Sequence, residues 1–281
     1  MTTGTRQAAS VERHRDKEKS LFAAMLRLRR FEEKAGMLYA LGSLGRPCPL
    51  GIGQEGALAV LAASLEPGDT LLALDTRPTI ELALGSDAAA AFQNLVPQAS
   101  QTEPPVSLLR LPGEPPRRLP QIEALALAAH RDGTVIVLAS DADKLHPCWP
   151  QLPARVLPIL LVTADRKPAQ WPLPQNWRVR ECDGANVATL LDAMAGARSD
   201  HRSGLAELAL AIVTPPYAGH ARDGGRRAAA KRDDTADPIS LYRLWLVSSN
   251  GLSETEAAGI EHSIREEVAA AGRAISVACA P

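Results

Sequence analysis

Residues 29–60 read RRFEEKAGMLYALGSLGRPCPLGIGQEGALAV, and this stretch sets the organisation of the chain. It continues a helical run in which Leu21, Phe22, Met25, Leu26 and Leu28 form an apolar face. Phe31, Ala35, Leu38 and Tyr39 prolong that face at the spacings a buried helical stripe requires. Gly42 and Gly45 end the helix, and Pro47 and Pro49 keep the following backbone extended. A second helix starts near Gly53, with Ala57, Val60, Leu61, Ser64 and Leu65 on one side, and stops at Pro67-Gly68-Asp69.

The bulk properties exclude several classes of function. Thirty-one Lys and Arg against 32 Asp and Glu give a net charge of −1, which offers no electrostatic footprint for nucleic acid or an acidic membrane. No apolar run is long enough to span a bilayer, and the polar start lacks a signal-peptide core, so a cytoplasmic protein is expected. Cys48, Cys148, Cys182 and Cys279 show neither zinc-site nor disulfide spacing.

Outward from the opening stretch, residues 1–19 are almost free of apolar side chains and predict a disordered tail. Runs at 70–74, 134–139, 156–163 and 205–213 read as buried strands, alternating with helical segments. That alternation predicts an α/β domain over 20–215 with a parallel sheet covered by helices on both faces. Seven prolines between Pro97 and Pro120 argue for an extended connection. Residues 221–236 carry five basic and three acidic groups and no large apolar side chain, so 216–238 reads as a flexible loop. A helical segment of the same domain follows over 239–281; within it the capping pair Ser253 and Glu256 starts a helix striped by Ile260, Ile264 and Val268.

The letters themselves resemble the alpha subunit of thiamine-diphosphate-dependent 2-oxo acid dehydrogenases, the pyruvate and acetoin type, over roughly residues 20–275. R-R-F-E-E-K and I-G-Q-E-G are shared, and the strand run at 156–163, Val179-Arg180 with Asp183-Gly184-Ala185-Asn186-Val187, Y-x-G-H at 217–220 and D-P-I at 237–239 resemble the family's segments. The resemblance implies the thiamine-diphosphate-binding fold, a cofactor held with Mg²⁺, a beta-type partner subunit, and oxidoreductase chemistry on aldehyde or oxo groups. It carries specific roles onto Arg77, Asp141 and Asp165 as cofactor-side residues, with Asp141 and Asp165 also as metal ligands. His220 falls on a catalytic loop position.

The departures are concentrated where the cofactor would lie. Pro49 stands at the family's site histidine. Both histidines of R-D-H-G-H are missing from 75–79, and G-I-V-G has no counterpart. The diphosphate signature G-D-G-x-x-N reads Ser140-Asp141-Ala142-Asp143-Lys144-Leu145, and the E-N-N after the next strand reads Ala164-Asp165-Arg166-Lys167. Mg²⁺ requires near-octahedral oxygen coordination, which a lone Asp141 with Asp165 does not complete. Ala142 also places a Cβ where backbone must approach a diphosphate. Asp141 reads first as a residue capping the turn after a strand, and His220 as a solvated loop histidine.

No bound cofactor is therefore expected. The chain reads as a catalytically degenerate alpha-type subunit, a structural or regulatory partner of a beta-type subunit or of a second copy of itself. An active subunit and a small-molecule-binding module reusing the vacated cleft are the alternatives. Gln54 and Glu55, at the start of a helix whose other side is apolar, are expected to face outward to the partner.

Overall fold

The computed structural model describes residues 3–44, 51–73, 78–95, 108–110, 134–139, 159–164, 177–204, 208–214 and 237–278. Helix α1 spans Thr3–Ala40. Leu21, Phe22, Met25, Leu26, Leu28, Phe31, Ala35 and Leu38 are all buried along it, as the spacing predicts. Tyr39 departs from the stripe and is 44% exposed, one residue around the helix from Leu38. The end follows the glycine rule. Gly42 takes φ +75°, its N–H donates to the Tyr39 carbonyl, and the Ser43 N–H donates to that of Leu38.

Helix is present from Thr3, within the stretch that reads as a disordered tail. A helix nucleated on the packed stretch 21–38 lengthens by one hydrogen bond per added residue and needs no second nucleus. His14 and Glu18, four residues apart at 3.1 Å, lie on that extension.

Among the described residues, six parallel strands form one sheet: β1 (Thr70–Ala73), β2 (Leu108–Arg110), β3 (Val135–Ala139), β4 (Ile159–Ala164), β5 (Arg178–Asp183) and β6 (Leu208–Val213), in the order β2-β1-β3-β4-β6-β5. Helices flank it, giving a mixed α/β architecture. Thr70, Leu71, Leu72 and Ala73 are buried in succession, which requires cover on both faces of β1. Strand β2 lies inside the proline-rich stretch that reads only as an extended connection. Three residues with a proline on either side are too few for a strand pattern.

Helix α2 (Glu55–Ala63) is buried from Glu55 through Leu61, so it is surrounded rather than one-sided. Helices α3 (Pro78–Ala83) and α4 (Ala88–Gln93) follow β1, and Phe92 of α4 packs on Phe31 with ring centroids 4.3 Å apart. Helix α5 (Val187–Arg202) precedes β6. Helix α6 (Pro238–Ser248) is capped by Asp237, and α7 (Glu254–Ala278) opens with Ser253 and Glu256 bonded reciprocally, as their spacing predicts. Ile264 and Val268 are buried on α7, whereas Ile260 is half-buried. No helix among the described residues is long and apolar enough to cross a membrane.

The turn that leads into β1 is fixed at the N-terminal edge of the sheet. Asp69 accepts from the Glu66 N–H at 2.8 Å and from the Thr134 N–H, just before β3, at 3.0 Å. Arg198 of α5 donates to the same carboxylate at 2.7 Å, and both side chains are buried. Burial pushes the Asp69 carboxyl up, but Arg198 and the two N–H donors outweigh it and hold the group below its ordinary range. Breaking a buried pair leaves an uncompensated charge. Asp69→Asn is therefore expected to lower the unfolding free energy by about 3 kcal/mol, read from a urea midpoint. A loss below about 1 kcal/mol, the range of exposed pairs, would show that the pair is effectively solvated.

Candidate functional site

Open parallel sheets place ligands at the carboxyl ends of strands where the strand order reverses. Here β1 has β2 on one side and β3 on the other, so the reversal lies between β1 and β3. Strand β3 is paired with β4 up to its own end, with Ala139 opposite Val162, and β4 continues to Ala164. Asp141 follows the end of β3 by two residues, Asp165 directly follows the end of β4, and Arg77 follows β1 after Ala73. The three candidate residues are thus attached in sequence to three adjacent strand ends. Their own positions, and that of His220, lie outside the described residues.

The described part of this edge is built where α2 enters. Gly184 follows β5, and its N–H donates to the Val213 carbonyl at the end of β6 at 2.7 Å. A Cβ on Gly184 would fall 2.7 Å from that carbonyl oxygen, and one on Gly56 would fall 3.2 Å from the Gly184 carbonyl oxygen. Two glycines therefore let the start of α2 sit against the carboxyl ends of β5 and β6. The same Gly56 position approaches Val187 of α5 and Pro238 of α6. The first turns of three helices converge there.

A buried guanidinium joins two of them. Arg29 Nε donates to Glu55 Oε1 at 2.5 Å, and Nη2 donates to Glu55 Oε2 at 3.1 Å and to Asp237 Oδ1 at 2.8 Å. Arg29, Glu55 and Asp237 are 6%, 1% and 5% exposed. Glu55 Oε2 also accepts the Gly53 N–H at 2.9 Å, and Asp237 Oδ2 accepts the Ser240 N–H at 3.2 Å and its hydroxyl at 2.7 Å. Nearby, both oxygens of buried Glu32 accept the Gly51 N–H at 2.8 Å. Each carboxylate at a helix start also lies in the favourable end of that helix's dipole. Burial pulls the Arg29 group down, but Glu55 and Asp237 outweigh it and leave it raised. Burial pushes Asp237 up, and Arg29 and Ser240 outweigh that, holding its carboxyl below the usual range.

Glu55 and Gln54 correct the outward placement expected for them. Glu55 is the inward partner of Arg29, and Gln54 is 5% exposed. The expectation rested on a one-sided helix, whereas α2 is enclosed all round and its first residue turns into the protein. The side chain of Gln54 does not cap α2, and its Oε1 has no hydrogen-bond partner among the described residues.

Arg29, Glu32 and Asp237 are site residues to which sequence reasoning assigned no role. A signal existed. Met25, Arg29 and Glu32 follow one another at i+4 and i+3, which sets two charges on the buried stripe of α1. Charges at core positions require partners. Chemically, the cluster is a set of charge-assisted bonds. Among the described residues, no group of three or more His, Cys, Asp or Glu side chains is placed to hold a metal ion.

No family model matches the chain. It is 39% identical over 90 residues to the pyruvate dehydrogenase E1 component subunit alpha of Zymomonas mobilis, a match covering 31% of this chain and 25% of that one. The Rickettsia prowazekii protein of the same description is 47% identical over 51 residues, covering 18% and 16%. With that of Rickettsia bellii the identity is 21% over 284 aligned residues, covering 88% and 87%. This is family-level homology to pyruvate dehydrogenase E1 alpha subunits. The stretches of higher identity span about a quarter or less of the relatives' own lengths, and the near full-length match is at low identity.

The depressed Asp237 carboxyl links this edge to pH. A group whose folded pKa lies below its unfolded value contributes stability above the unfolded pKa and loses it as pH falls through the folded one. Stability should therefore decline as pH drops below roughly 4, the ordinary carboxylate value. In Asp237→Asn that decline is expected to be shallower, checked by thermal midpoints across an acid pH series. Identical slopes in the two proteins would show that Asp237 is not held low.

Proposed function

We propose that the chain is a catalytically degenerate alpha-type subunit that serves as a structural or regulatory partner of a beta-type subunit, on a thiamine-diphosphate-binding type of α/β fold. One observation carries this reading. The shared motifs R-R-F-E-E-K, I-G-Q-E-G and D-P-I supply Arg29, Glu32, Gly51–Glu55 and Asp237, and these residues are engaged with one another in the buried network. They hold helix starts together, and that role needs no cofactor.

The residues at the strand ends do not fit thiamine diphosphate with Mg²⁺. Strands β3 and β4 lie side by side, so the segments directly after them must supply the metal's oxygen ligands. Those segments read Ser140-Asp141-Ala142-Asp143-Lys144-Leu145 and Asp165-Arg166-Lys167. Three cationic side chains accompany the carboxylates, the Asn ligands are gone, and Ala142 replaces a glycine. Near-octahedral coordination of a hard cation is poorly served by such a set. The near full-length homology to the Rickettsia bellii protein favours the second reading, an active alpha subunit acting on a 2-oxo acid. That reading requires a different cofactor geometry.

Association with a partner is supported by the relatives being subunits of a dehydrogenase component. It is also supported by α6, which is apolar on both sides. Ile239, Tyr242 and Leu246 are buried, while Leu241, Leu244 and Trp245 are exposed, Leu244 at 67%. We assign a beta-type subunit to that outer strip.

Two measurements test the proposal. Calorimetric titration of the purified chain with thiamine diphosphate and Mg²⁺ is expected to show no saturable heat, and a micromolar binding isotherm would establish the active reading instead. A tagged chain recovered from its native cells should bring down a second subunit of dehydrogenase type, identified by mass. A monodisperse monomer with no companion would remove the partner role.

A further inference from the structure

We infer that Arg29 is a positioning residue that couples the Gly51–Glu55 turn to the start of α6, so that a displacement at either is transmitted to the other. This goes beyond the proposed function and holds whether or not the chain binds a cofactor.

The path is continuous. The Gly53 N–H donates to Glu55 Oε2 at 2.9 Å, Glu55 is held by Arg29 Nε and Nη2, Nη2 also donates to Asp237 Oδ1, and Asp237 Oδ2 receives the Ser240 N–H. Nη2 is therefore shared by two carboxylates that belong to segments 182 positions apart in sequence (237 minus 55). A guanidinium is planar and rigid, so its donors move together. Reorienting it to follow one carboxylate changes its angle to the other. In a site this buried, charge-assisted bonds are strong and the loss of one is not made good by water.

The two coupled points have a particular position in the chain. Residues 45–50 lead into the Gly51–Glu55 turn, and residues 215–236 lead into Asp237. Both connections thus rejoin the described fold on one cation. Another buried ion pair, Asp69–Arg198, lies at the opposite edge of the sheet and shares no side chain with this path.

Coupling between two sites is reciprocal, and that supplies the test. Amide hydrogen exchange is measured on the full chain for the wild type, Asp237→Asn, Glu55→Gln, Arg29→Lys and Asp69→Asn. In Asp237→Asn the Gly53 amide is expected to exchange several-fold faster, beyond any change at the Thr134 amide, which reports general loosening. In Glu55→Gln the Ser240 amide should respond in the same way. Arg29→Lys keeps the charge but loses the fork, and should speed exchange at both ends. Asp69→Asn should speed exchange at Thr134 by more than any change at Gly53 or Ser240.

A local role would move only the amides of the substituted segment. If Asp237→Asn accelerates exchange in α6 alone, the coupling is overturned, and it is equally overturned if Arg29→Lys matches the wild type at both ends. Should Asp237→Asn fail to fold, Ser240→Ala removes only the hydroxyl bonded to Asp237 at 2.7 Å. A smaller acceleration at Gly53 then supports the coupling, and no change there refutes it.

Discussion

A cation inside the protein must be neutralised where it stands, and Arg29 imposes that constraint on everything around it. Desolvating a charge costs several kcal/mol even after relaxation, so the α1 stripe can carry Arg29 only if carboxylates reach it. Glu55 and Asp237 do so from the starts of two helices. Their own charges gain from those helix ends, which carry partial positive charge. Two carboxylates, one guanidinium and two helix starts come close to electrical balance. The arrangement dictates where α2 and α6 begin, because moving either start would strand a charge.

A second arginine sets the other end of the same unit. Helix α2 begins at the Glu55–Arg29 pair and is followed by the Glu66–Asp69 turn, where Arg198 holds the chain as it enters β1. The α2–β1 segment is thus clamped at both ends by buried ion pairs, one from α1 and one from α5. Apolar packing does not by itself fix the position of such a segment. From Ala57 to Leu61 the buried side chains of α2 are alanine, leucine and valine, which tolerate small sliding and rotation. Buried charges have one acceptable arrangement and supply the register that the aliphatic core leaves loose.

This division explains which parts of the molecule could be read from its letters. The strands at 70–73, 135–139, 159–164 and 208–213 announce themselves as aliphatic runs, since a parallel strand buried on both faces needs no alternation. The end of α1 is legible in Gly42, where a left-handed residue is required. Strand β2 is not legible, because three residues carry no period. Gln54 and Glu55 were misread for a related reason. Amphipathic logic places polar groups outward, but it fails where a carboxylate is the counterion of a charge arriving from a distant segment. Nothing local to Glu55 reveals Arg29, although Arg29 and Glu32 on a buried stripe reveal that some partner must exist.

The same division bears on what the fold was built to hold. A protein that binds a charged cofactor between its strand ends gains stability from the ligand by mass action, about 2.7 kcal/mol at a hundredfold excess over Kd. On the proposed reading, a chain whose strand ends carry Ala142, Lys144, Arg166 and Lys167 in the place of that site lacks such a contribution. The carboxyl edge of the sheet is then secured by the protein's own side chains. The Arg29 cluster does this from residues that lie within the shared motifs yet face inward. The motifs shared with E1 alpha subunits thus have a structural role separable from catalysis: they keep the helix starts in register.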